Sequence, residues 1–161
     1  MARILLAGGG SGGHVTPLRA IAAELGQKHE IVIMTDRGFV EQTRYLFQDQ
    51  PQRTIRTIFS GKYRRYANKS FLWHITHAPT VLKNLRDITL ILMGTVQSIN
   101  YFLWHRPKVV FCKGGYVCVP IGIAAQLFKV PIIIHDSDTH PGLTNRLLSR
   151  WALKIATGMP S

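Results

Sequence analysis

The stretch Ala7-Gly8-Gly9-Gly10-Ser11-Gly12-Gly13-His14-Val15-Thr16-Pro17 places five glycines within six consecutive positions. It follows a short apolar run at residues 4–7, which is typical of a strand. Behind it, apolar residues recur at the spacing of a helix, at Leu18, Ile21, Ala22 and Leu25. The sequence therefore predicts that the glycines form the turn between a strand and a helix.

Such a glycine turn is suited to holding an anion. Glycine lets a ligand approach the backbone, and the first N–H groups of a helix lack partners and carry the positive end of the helix dipole. Phosphate or pyrophosphate is the expected ligand. A turn that only packs the strand against the helix is the structural alternative, and five glycines followed by His14 favour the ligand site.

Two well-known glycine loops differ from this one. A P-loop ends in Gly-Lys followed by Ser or Thr, whereas here Gly13 is followed by His14. The dinucleotide fingerprint G-x-G-x-x-G is matched loosely by Gly8, Gly10 and Gly13, and Asp36 lies where such a site expects an acid. An NAD site therefore stays open as an alternative, although this chain has a histidine where such a site needs only backbone.

The composition is that of a globular protein with a strong positive charge. The 161 residues are 46% hydrophobic and 17% charged, and a chain of this length buries about 70% of its unfolded surface. The formal net charge is +12. No acid lies between Asp49 and Asp87, where eight basic residues fall: Arg53, Arg56, Lys62, Arg64, Arg65, Lys69, Lys83 and Arg86. This region should meet an anionic partner, and the lack of an RNA-binding or zinc-finger motif argues against nucleic acid.

Three further features bear on location. Cys112 and Cys118 match no common zinc spacing and make no disulfide framework, which favours a reducing cytoplasm. The first strand follows almost directly on Met1, so no secretory signal peptide is expected. The longest apolar stretch, residues 88–103, contains several polar side chains and is predicted to be a buried helix rather than a membrane-spanning one.

Strand and helix patterns alternate along the whole chain. Continuous apolar runs such as residues 130–134 are typical of parallel strands covered on both faces. The sequence therefore predicts an α/β fold with a doubly wound, mostly parallel, Rossmann-like sheet, formed by residues 1–161 as a single domain. The predicted strands are residues 4–7, 30–35, 53–58, 109–112, 132–135 and 153–157, and the predicted helices after the first are residues 39–47, 79–104, 120–128 and 143–151.

Ligands of such sheets bind at the carboxyl ends of the strands, where three polar loops are predicted to converge. The first is the glycine turn. The second, Lys113-Gly114-Gly115-Tyr116, adds a cation and a phenol to another glycine turn, and the two turns together could clamp a diphosphate. The third, His135-Asp136-Ser137-Asp138, could accept hydrogen bonds from sugar hydroxyls, orient His14, or cap the next helix. A metal site is not expected, because tight metal-ligand spacing is lacking.

His14 is the candidate general base. Imidazole titrates near neutral pH and can remove a hydroxyl proton there. A histidine at a helix start that makes only local hydrogen bonds is the alternative.

A cationic, aromatic segment precedes the long predicted helix. Its mixture of Lys and Arg with large apolar side chains is typical of a segment that lies on an anionic membrane surface. The candidate contact residues are Lys62, Tyr63, Arg64, Arg65, Lys69, Phe71, Leu72 and Trp73. A solvated loop whose aromatic side chains pack on the core is the alternative.

Four motifs together resemble the N-terminal domain of the MurG family of glycosyltransferases. They are, in chain order, residues 9–17, Ser60-Gly61-Lys62-Tyr63-Arg64-Arg65-Tyr66, Lys113-Gly114-Gly115-Tyr116-Val117, and His135-Asp136-Ser137-Asp138 with Pro141-Gly142-Leu143-Thr144-Asn145. The resemblance implies the N-terminal half of an inverting GT-B glycosyltransferase, which moves N-acetylglucosamine from UDP-GlcNAc to the muramoyl 4-hydroxyl of lipid I and so makes lipid II for peptidoglycan. It implies no cofactor, a peripheral location on the cytoplasmic side of the cell membrane, and a C-terminal donor-binding domain that this sequence does not contain.

The resemblance also implies roles for individual residues. His14 would be the base on the acceptor hydroxyl, and the diphosphate and sugar would be held by Ser11, Gly12, Gly13, Lys113, Gly114, Gly115, Tyr116, Asp136, Asp138 and Asn145. Where the family often has a Glu, this chain has the shorter Asp136, and Asp138 cannot donate as an Asn amide can. Two other functions stay open: a non-catalytic, membrane-associated subunit of a split glycosyltransferase, and an NAD-binding domain.

Overall fold

The computed structural model describes residues 1–62, 77–138 and 140–158. Within them, six parallel strands form one sheet in the order β3-β2-β1-β4-β5-β6. The strands are β1 (Arg3–Gly8), β2 (Glu30–Asp36), β3 (Thr54–Ile58), β4 (Val109–Gly114), β5 (Ile132–Asp136) and β6 (Ala152–Thr157). The helices are α1 (Gly12–Leu25), α2 (Val40–Leu46), α3 (Ala78–His105), α4 (Cys118–Leu127) and α5 (Leu143–Leu148). The predicted α/β, Rossmann-like fold is confirmed.

The core lies on both faces of the sheet because side chains alternate along each strand. In β1, Leu5 and Ala7 pack into one buried cluster, whereas Ile4 and Leu6 pack into the other. Leu5 and Leu6 are fully buried. Burial of this kind contributes about 1.5–3 kcal/mol per large aliphatic side chain, which explains why the predicted apolar runs became the central strands.

The chain reverses its direction of winding between β1 and β4. Strands β2 and β3 lie to one side of β1, and β4, β5 and β6 lie to the other. Such a switch point opens a crevice at the carboxyl ends of the two central strands. The register pairs Gly8 with Gly114, so the two glycine loops leave the sheet side by side.

Helix α1 begins earlier than the apolar pattern alone indicated. It starts at Gly12, within the glycine run, and contains Pro17. Since proline has no N–H, it leaves the carbonyl of Gly13 without its usual helical partner. Because the helix starts at Gly12, its first turn contains Gly12, Gly13 and His14, and this brings His14 next to the edge of the sheet.

Helix α3 exposes most of its large apolar side chains, whereas a surface helix normally buries such side chains against the core. Its buried side carries mostly small or polar residues, including Asn84, Asp87, Gly94 and Ser98, with the aromatic Tyr101 and Phe102 near its end. Its large apolar side chains form an exposed surface, here called the outer face of α3: Val81, Leu82, Leu85, Ile88, Leu92, Met93, Val96, Leu103 and Trp104. The prediction that residues 88–103 form a buried helix is therefore wrong for this face, because α3 packs mainly on α4 through its opposite side, where Gly94, Ser98 and Phe102 are buried.

The segment after β3 is held against α3. The side-chain amide of Gln97 donates to the Thr57 carbonyl at 2.8 Å and accepts from the Phe59 N–H at 3.0 Å, as a neighbouring strand would. A Cβ at Gly94 would collide with the Phe59 carbonyl, and a Cβ at Gly61 would collide with the Asp87 carbonyl. This close approach places Gly61 and Lys62 beside the carboxyl edge of the sheet.

The predicted membrane segment lies mostly outside the described residues. This applies to Tyr63, Arg64, Arg65, Lys69, Phe71, Leu72 and Trp73. Lys62 is described and is exposed. Across the described part of the chain, no helix combines the length and the hydropathy that a membrane crossing requires.

Candidate functional site

A cavity of about 540 Å³ lies at the carboxyl ends of β1, β4 and β5. A volume of this size suits a small ligand or the head of a larger one. The three predicted loops converge on it, as expected from the topology. Its lining includes Gly9, Gly10, Ser11, His14, Lys113, Gly114, Gly115, Tyr116, Asp136, Asp138 and Asn145, together with Gly61, Lys62, Ile91, Val119, Gly142, Leu143, Thr144 and Leu147.

The glycine loop after β1 is fixed by tight packing. A Cβ at Gly9 would lie 2.5 Å from Oδ2 of Asp36 and 2.6 Å from Cγ2 of Val117. Gly10 has φ of +77°, a conformation that side chains other than glycine rarely adopt. Its N–H donates to Oδ2 of Asp36 at 2.8 Å. Glycine is therefore needed at Gly9, because the backbone lies too close to Val117 and to the buried Asp36 carboxylate for a side chain to fit, and at Gly10 because of its positive φ.

His14 is oriented by two local contacts. Its Nδ1 lies 2.9 Å from the Gly9 carbonyl oxygen and 3.0 Å from Oγ of Ser11. Because a carbonyl oxygen only accepts, the contact with Gly9 is a hydrogen bond when Nδ1 carries the proton, and in that neutral ring Nε2 has a free lone pair. A Cβ at Gly114 would lie 3.4 Å from Nε2, so this edge of the imidazole faces the second glycine loop. The imidazole is thus held in the form that can accept a proton.

The loop after β4 requires glycine at two positions. Gly114 has φ of +120° and Gly115 has φ of +80°, and a Cβ at Gly115 would collide with the Gly9 carbonyl. The thiol of Cys118 donates to the Gly114 carbonyl at 3.2 Å, which holds the turn against α4. The two glycine loops are therefore packed against each other. His14 lies beside both loops and lines the cavity.

Tyr116 closes the space behind the first glycine loop. A Cβ at Gly10 would lie 2.6 Å from Cε1 of its ring. Burial raises the pKa of the phenol, and the carboxylates of Asp36 and Asp87 raise it further. The hydroxyl therefore stays protonated at neutral pH, as a hydrogen-bond donor rather than a base.

Lys113 brings a buried positive charge to the cavity. The residue is 3% exposed, and its Nζ donates to Oγ of Ser137 at 2.9 Å. An ammonium group has three N–H donors, and among the described residues only this one is assigned a partner. Burial lowers the pKa of the neighbouring His135, and the charge of Lys113 lowers it further. The environment of Lys113 therefore favours a nearby anion.

The third loop supplies oxygen acceptors and an amide. Asp136 is 9% exposed and its Oδ1 accepts the N–H of Asp138 at 3.1 Å, which leaves the carboxylate of Asp138 exposed at the cavity. Asn145 is also 9% exposed, and its Oδ1 has no hydrogen-bond partner among the described residues. An unsatisfied buried oxygen costs about 1–3 kcal/mol, so a donor from a ligand would stabilise Asn145.

The structure brings most of the predicted binding residues to the lining of this cavity. The structure does not bring Gly12 and Gly13 to the cavity; they are exposed on the first turn of α1, because the helix begins there and turns away. Sequence reasoning missed Gly9 and Gly10 as lining residues, and it missed the role of Asp36 in holding the loop. The apolar lining, such as Ile91 on α3, left no signal in the sequence because its position depends on packing.

The two cysteines do not line the cavity, and the described residues contain no group of side chains suited to a metal ion. Cys112 and Cys118 are free and buried, and the Cys112 thiol has its pKa raised by its hydrogen bond with Cys118 and by burial. Within residues 1–62, 77–138 and 140–158, no three His, Cys, Asp or Glu side chains are grouped closely enough to hold a metal ion.

Comparison with known proteins decides the family. The model of the glycosyltransferase family 28 N-terminal domain matches residues 4–157. The chain belongs to this family. This match confirms the glycosyltransferase family that the four motifs indicated, and the relatives described next confirm the resemblance to MurG.

Curated relatives match the chain over nearly its full length. It is 35% identical over 161 residues to the UDP-N-acetylglucosamine--N-acetylmuramyl-(pentapeptide) pyrophosphoryl-undecaprenol N-acetylglucosamine transferase of Clostridium botulinum, with 99% of this chain and 41% of the relative covered. It is 34% identical to the protein of the same name from Treponema pallidum, with 98% of this chain and 37% of the relative covered. The family 28 domain thus spans about two fifths of the length of these relatives.

Solved structures agree with this assignment. The chain superposes on MurG of Acinetobacter baumannii with a TM-score of 0.76 and 27% identity, covering 99% of this chain and 42% of that one. The glycosyltransferase SsfS6 from Streptomyces superposes with a TM-score of 0.59 at 13% identity, over 92% of this chain and 43% of that one. The second likeness shows the fold alone.

Proposed function

We propose that this family 28 domain is the acceptor-binding half of a peptidoglycan glycosyltransferase. The reaction moves N-acetylglucosamine from UDP-GlcNAc to the 4-hydroxyl of the muramoyl unit of lipid I, which gives lipid II. The curated relatives are named for a transfer of N-acetylglucosamine that involves N-acetylmuramyl-(pentapeptide) pyrophosphoryl-undecaprenol. The observation that carries the proposal is the cavity in which His14 and the buried Lys113 lie between two packed glycine loops.

The pyrophosphate of the acceptor lies in the cavity, beside the two packed glycine loops. Ser11 and residues 114–116 line this part of the cavity, and glycine loops of this kind can present backbone N–H groups to an anion. The ammonium of Lys113, which lines the same cavity, supplies a full positive charge. Charge-assisted hydrogen bonds to an anion are roughly twice as strong as neutral ones, so this end of the cavity anchors the acceptor.

His14 acts as the general base on the acceptor hydroxyl. The hydroxyl oxygen forms a bond to the anomeric carbon of the donor sugar while the bond from that carbon to UDP breaks, and UDP leaves with the electron pair. The hydroxyl proton goes to Nε2 of His14, whose lone pair is available because Nδ1 carries the proton. Asp138 and the free Oδ1 of Asn145 accept hydrogen bonds from the sugar.

The donor half of the site belongs to a second domain. The relatives are about two and a half times as long as this domain, in line with the coverage of 41% and 37%. UDP-GlcNAc is accordingly a substrate of the two halves together, and no cofactor takes part. We expect the 161-residue chain alone to bind acceptor and to transfer no sugar.

Binding of an acceptor analogue tests this function directly. Isothermal titration of the chain with a short-prenyl, pyrophosphate-linked muramoyl pentapeptide should give 1:1 binding, and UDP-GlcNAc should bind at least about tenfold more weakly, a difference of roughly 1.4 kcal/mol. Transfer should appear only when a donor-binding domain is supplied. Thermal stabilisation by NAD without any by the acceptor analogue would contradict the proposal and support a dinucleotide site.

The outer face of α3 is the membrane-contacting surface of this domain. It presents nine large apolar side chains to solvent on a helix about 42 Å long, and Lys83 and Arg86 flank it. Ile91, on the same helix, reaches the cavity, so a lipid-linked acceptor could enter from the membrane beside it. Apolar insertion and attraction of cations to anionic lipid act together at such a surface. On this proposal the domain binds the membrane surface peripherally.

Vesicle binding tests the outer face of α3. Leu85 is 59% exposed and Leu92 is 62% exposed on one side of the helix. The double change to Ser should lower partitioning onto anionic vesicles about tenfold or more, because each buried leucine contributes about 1.5–3 kcal/mol. Co-sedimentation measures the effect. Leu153→Ser is the matched control, since Leu153 is 67% exposed on β6, and an equal loss in this control would contradict the proposal.

A further inference from the structure

One peptide group joins a buried carboxylate to the candidate base. The N–H of Gly10 donates to Oδ2 of Asp36 at 2.8 Å, and the carbonyl oxygen of Gly9 accepts from Nδ1 of His14 at 2.9 Å. These two atoms belong to the same planar peptide unit between Gly9 and Gly10. Asp36 and His14 are therefore linked through a single amide, at both of its polar ends.

We propose that Asp36 is a positioning residue for His14 and acts through the Gly9–Gly10 peptide. A carboxylate that accepts from the amide N–H increases the negative charge on the carbonyl oxygen of the same unit. That oxygen then binds the Nδ1 proton of His14 more strongly, since hydrogen bonds in a chain polarise one another. The arrangement gives His14 part of the support that a directly bonded carboxylate would give.

The surroundings of Asp36 support this role. The side chain is 6% exposed, and its second oxygen accepts the N–H of Gly38 at 2.9 Å, so the carboxylate is held in one orientation. No carboxylate among the described residues makes a hydrogen bond to His14 directly. Asp36 lies at the end of β2, next to β1, and a Cβ at Gly9 would lie 2.5 Å from its Oδ2, so the backbone of Gly9 packs tightly against the carboxylate.

Two consequences follow for His14. The linkage keeps the neutral ring in the form with its proton on Nδ1, which leaves Nε2 free to accept. It also stabilises the positive charge that the ring gains when Nε2 takes the proton. The second consequence rests on the proposed function, whereas the first concerns the free protein and needs no substrate.

The tautomer of His14 is the test. Long-range ¹H–¹⁵N correlation spectra of the chain distinguish the two neutral forms, and comparison with His14→Asn assigns the signals. Wild type should show the proton on Nδ1. In Asp36→Asn the population protonated on Nε2 should rise about threefold, because the hydrogen bond from Nδ1 to the Gly9 carbonyl should weaken by about 10–30%. Asp36→Ser removes the same charge and gives the same readout where the Asn variant does not fold.

Thr35→Val is the matched control. Thr35 is fully buried beside Gly9, and its hydroxyl has no partner among the described residues. This change perturbs the same pocket without touching the carboxylate, so the tautomer ratio should stay as in wild type. An unchanged ratio in folded Asp36 variants, or an equal shift in Thr35→Val, would overturn the proposal. Loss of transferase activity in His14 variants does not enter this readout, so the two proposals fail separately.

Discussion

Replacing His14 by Asn should lower kcat for sugar transfer on the order of 100-fold or more, the usual contribution of a general base. The Asn amide can still donate to the Gly9 carbonyl, as Nδ1 does at 2.9 Å, so the glycine loop keeps its shape. What the variant lacks is the lone pair of Nε2. Acceptor affinity should therefore change by less than about threefold, a difference of only a few tenths of a kcal/mol.

Steady-state transfer from UDP-GlcNAc to a lipid I analogue measures this effect in the protein that contains both domains. His29→Asn is the control, because His29 precedes β2 at the opposite end of the sheet. It should retain the wild-type kcat. A kcat for His14→Asn within a few-fold of wild type would remove His14 from the chemistry, and a parallel loss of acceptor affinity would assign it to binding instead.

Replacing Lys113 by Met should raise the Kd for the pyrophosphate-linked acceptor about 10- to 100-fold. A hydrogen bond to a charged group contributes about 1.5–3 kcal/mol, which corresponds to this range. Met fills a similar volume, and it removes an ammonium that is 3% exposed and costly to desolvate. The free energy of unfolding should therefore stay equal or increase while affinity falls.

Titration calorimetry on the chain measures the Kd, and thermal unfolding checks the fold. Ser137→Ala removes the partner of Lys113 at 2.9 Å without removing the charge, and it should weaken binding by less than about tenfold. A muramoyl pentapeptide without pyrophosphate should bind wild type and Lys113→Met equally. If Lys113→Met binds the complete analogue as wild type does, the pyrophosphate does not lie at Lys113.

Much of the site could be predicted because loop positions follow from topology. In a parallel sheet the carboxyl ends of neighbouring strands share one edge, so the sequence alone predicts that Lys113, Asp136 and His14 lie together at that edge. The cationic segment stays a prediction as a membrane contact, because all its candidate residues except Lys62 lie outside the described part of the chain. The outer face of α3 was not predicted as a membrane surface. Its apolar residues fit a buried helix equally well, because periodicity indicates that a face is apolar without indicating what covers it.

The sequence by itself determined the alternation of strands and helices, the parallel sheet, and the glycine turns beside His14 and Lys113. These features depend on local backbone preference and on burial of continuous apolar runs. Only the tertiary structure decided that Asp36 supports the Gly9–Gly10 peptide, that Gly12 and Gly13 turn away from the cavity, and that α3 exposes its leucines. Such contacts join residues far apart in the chain, and their geometry is set by how closely elements pack, which no local pattern records.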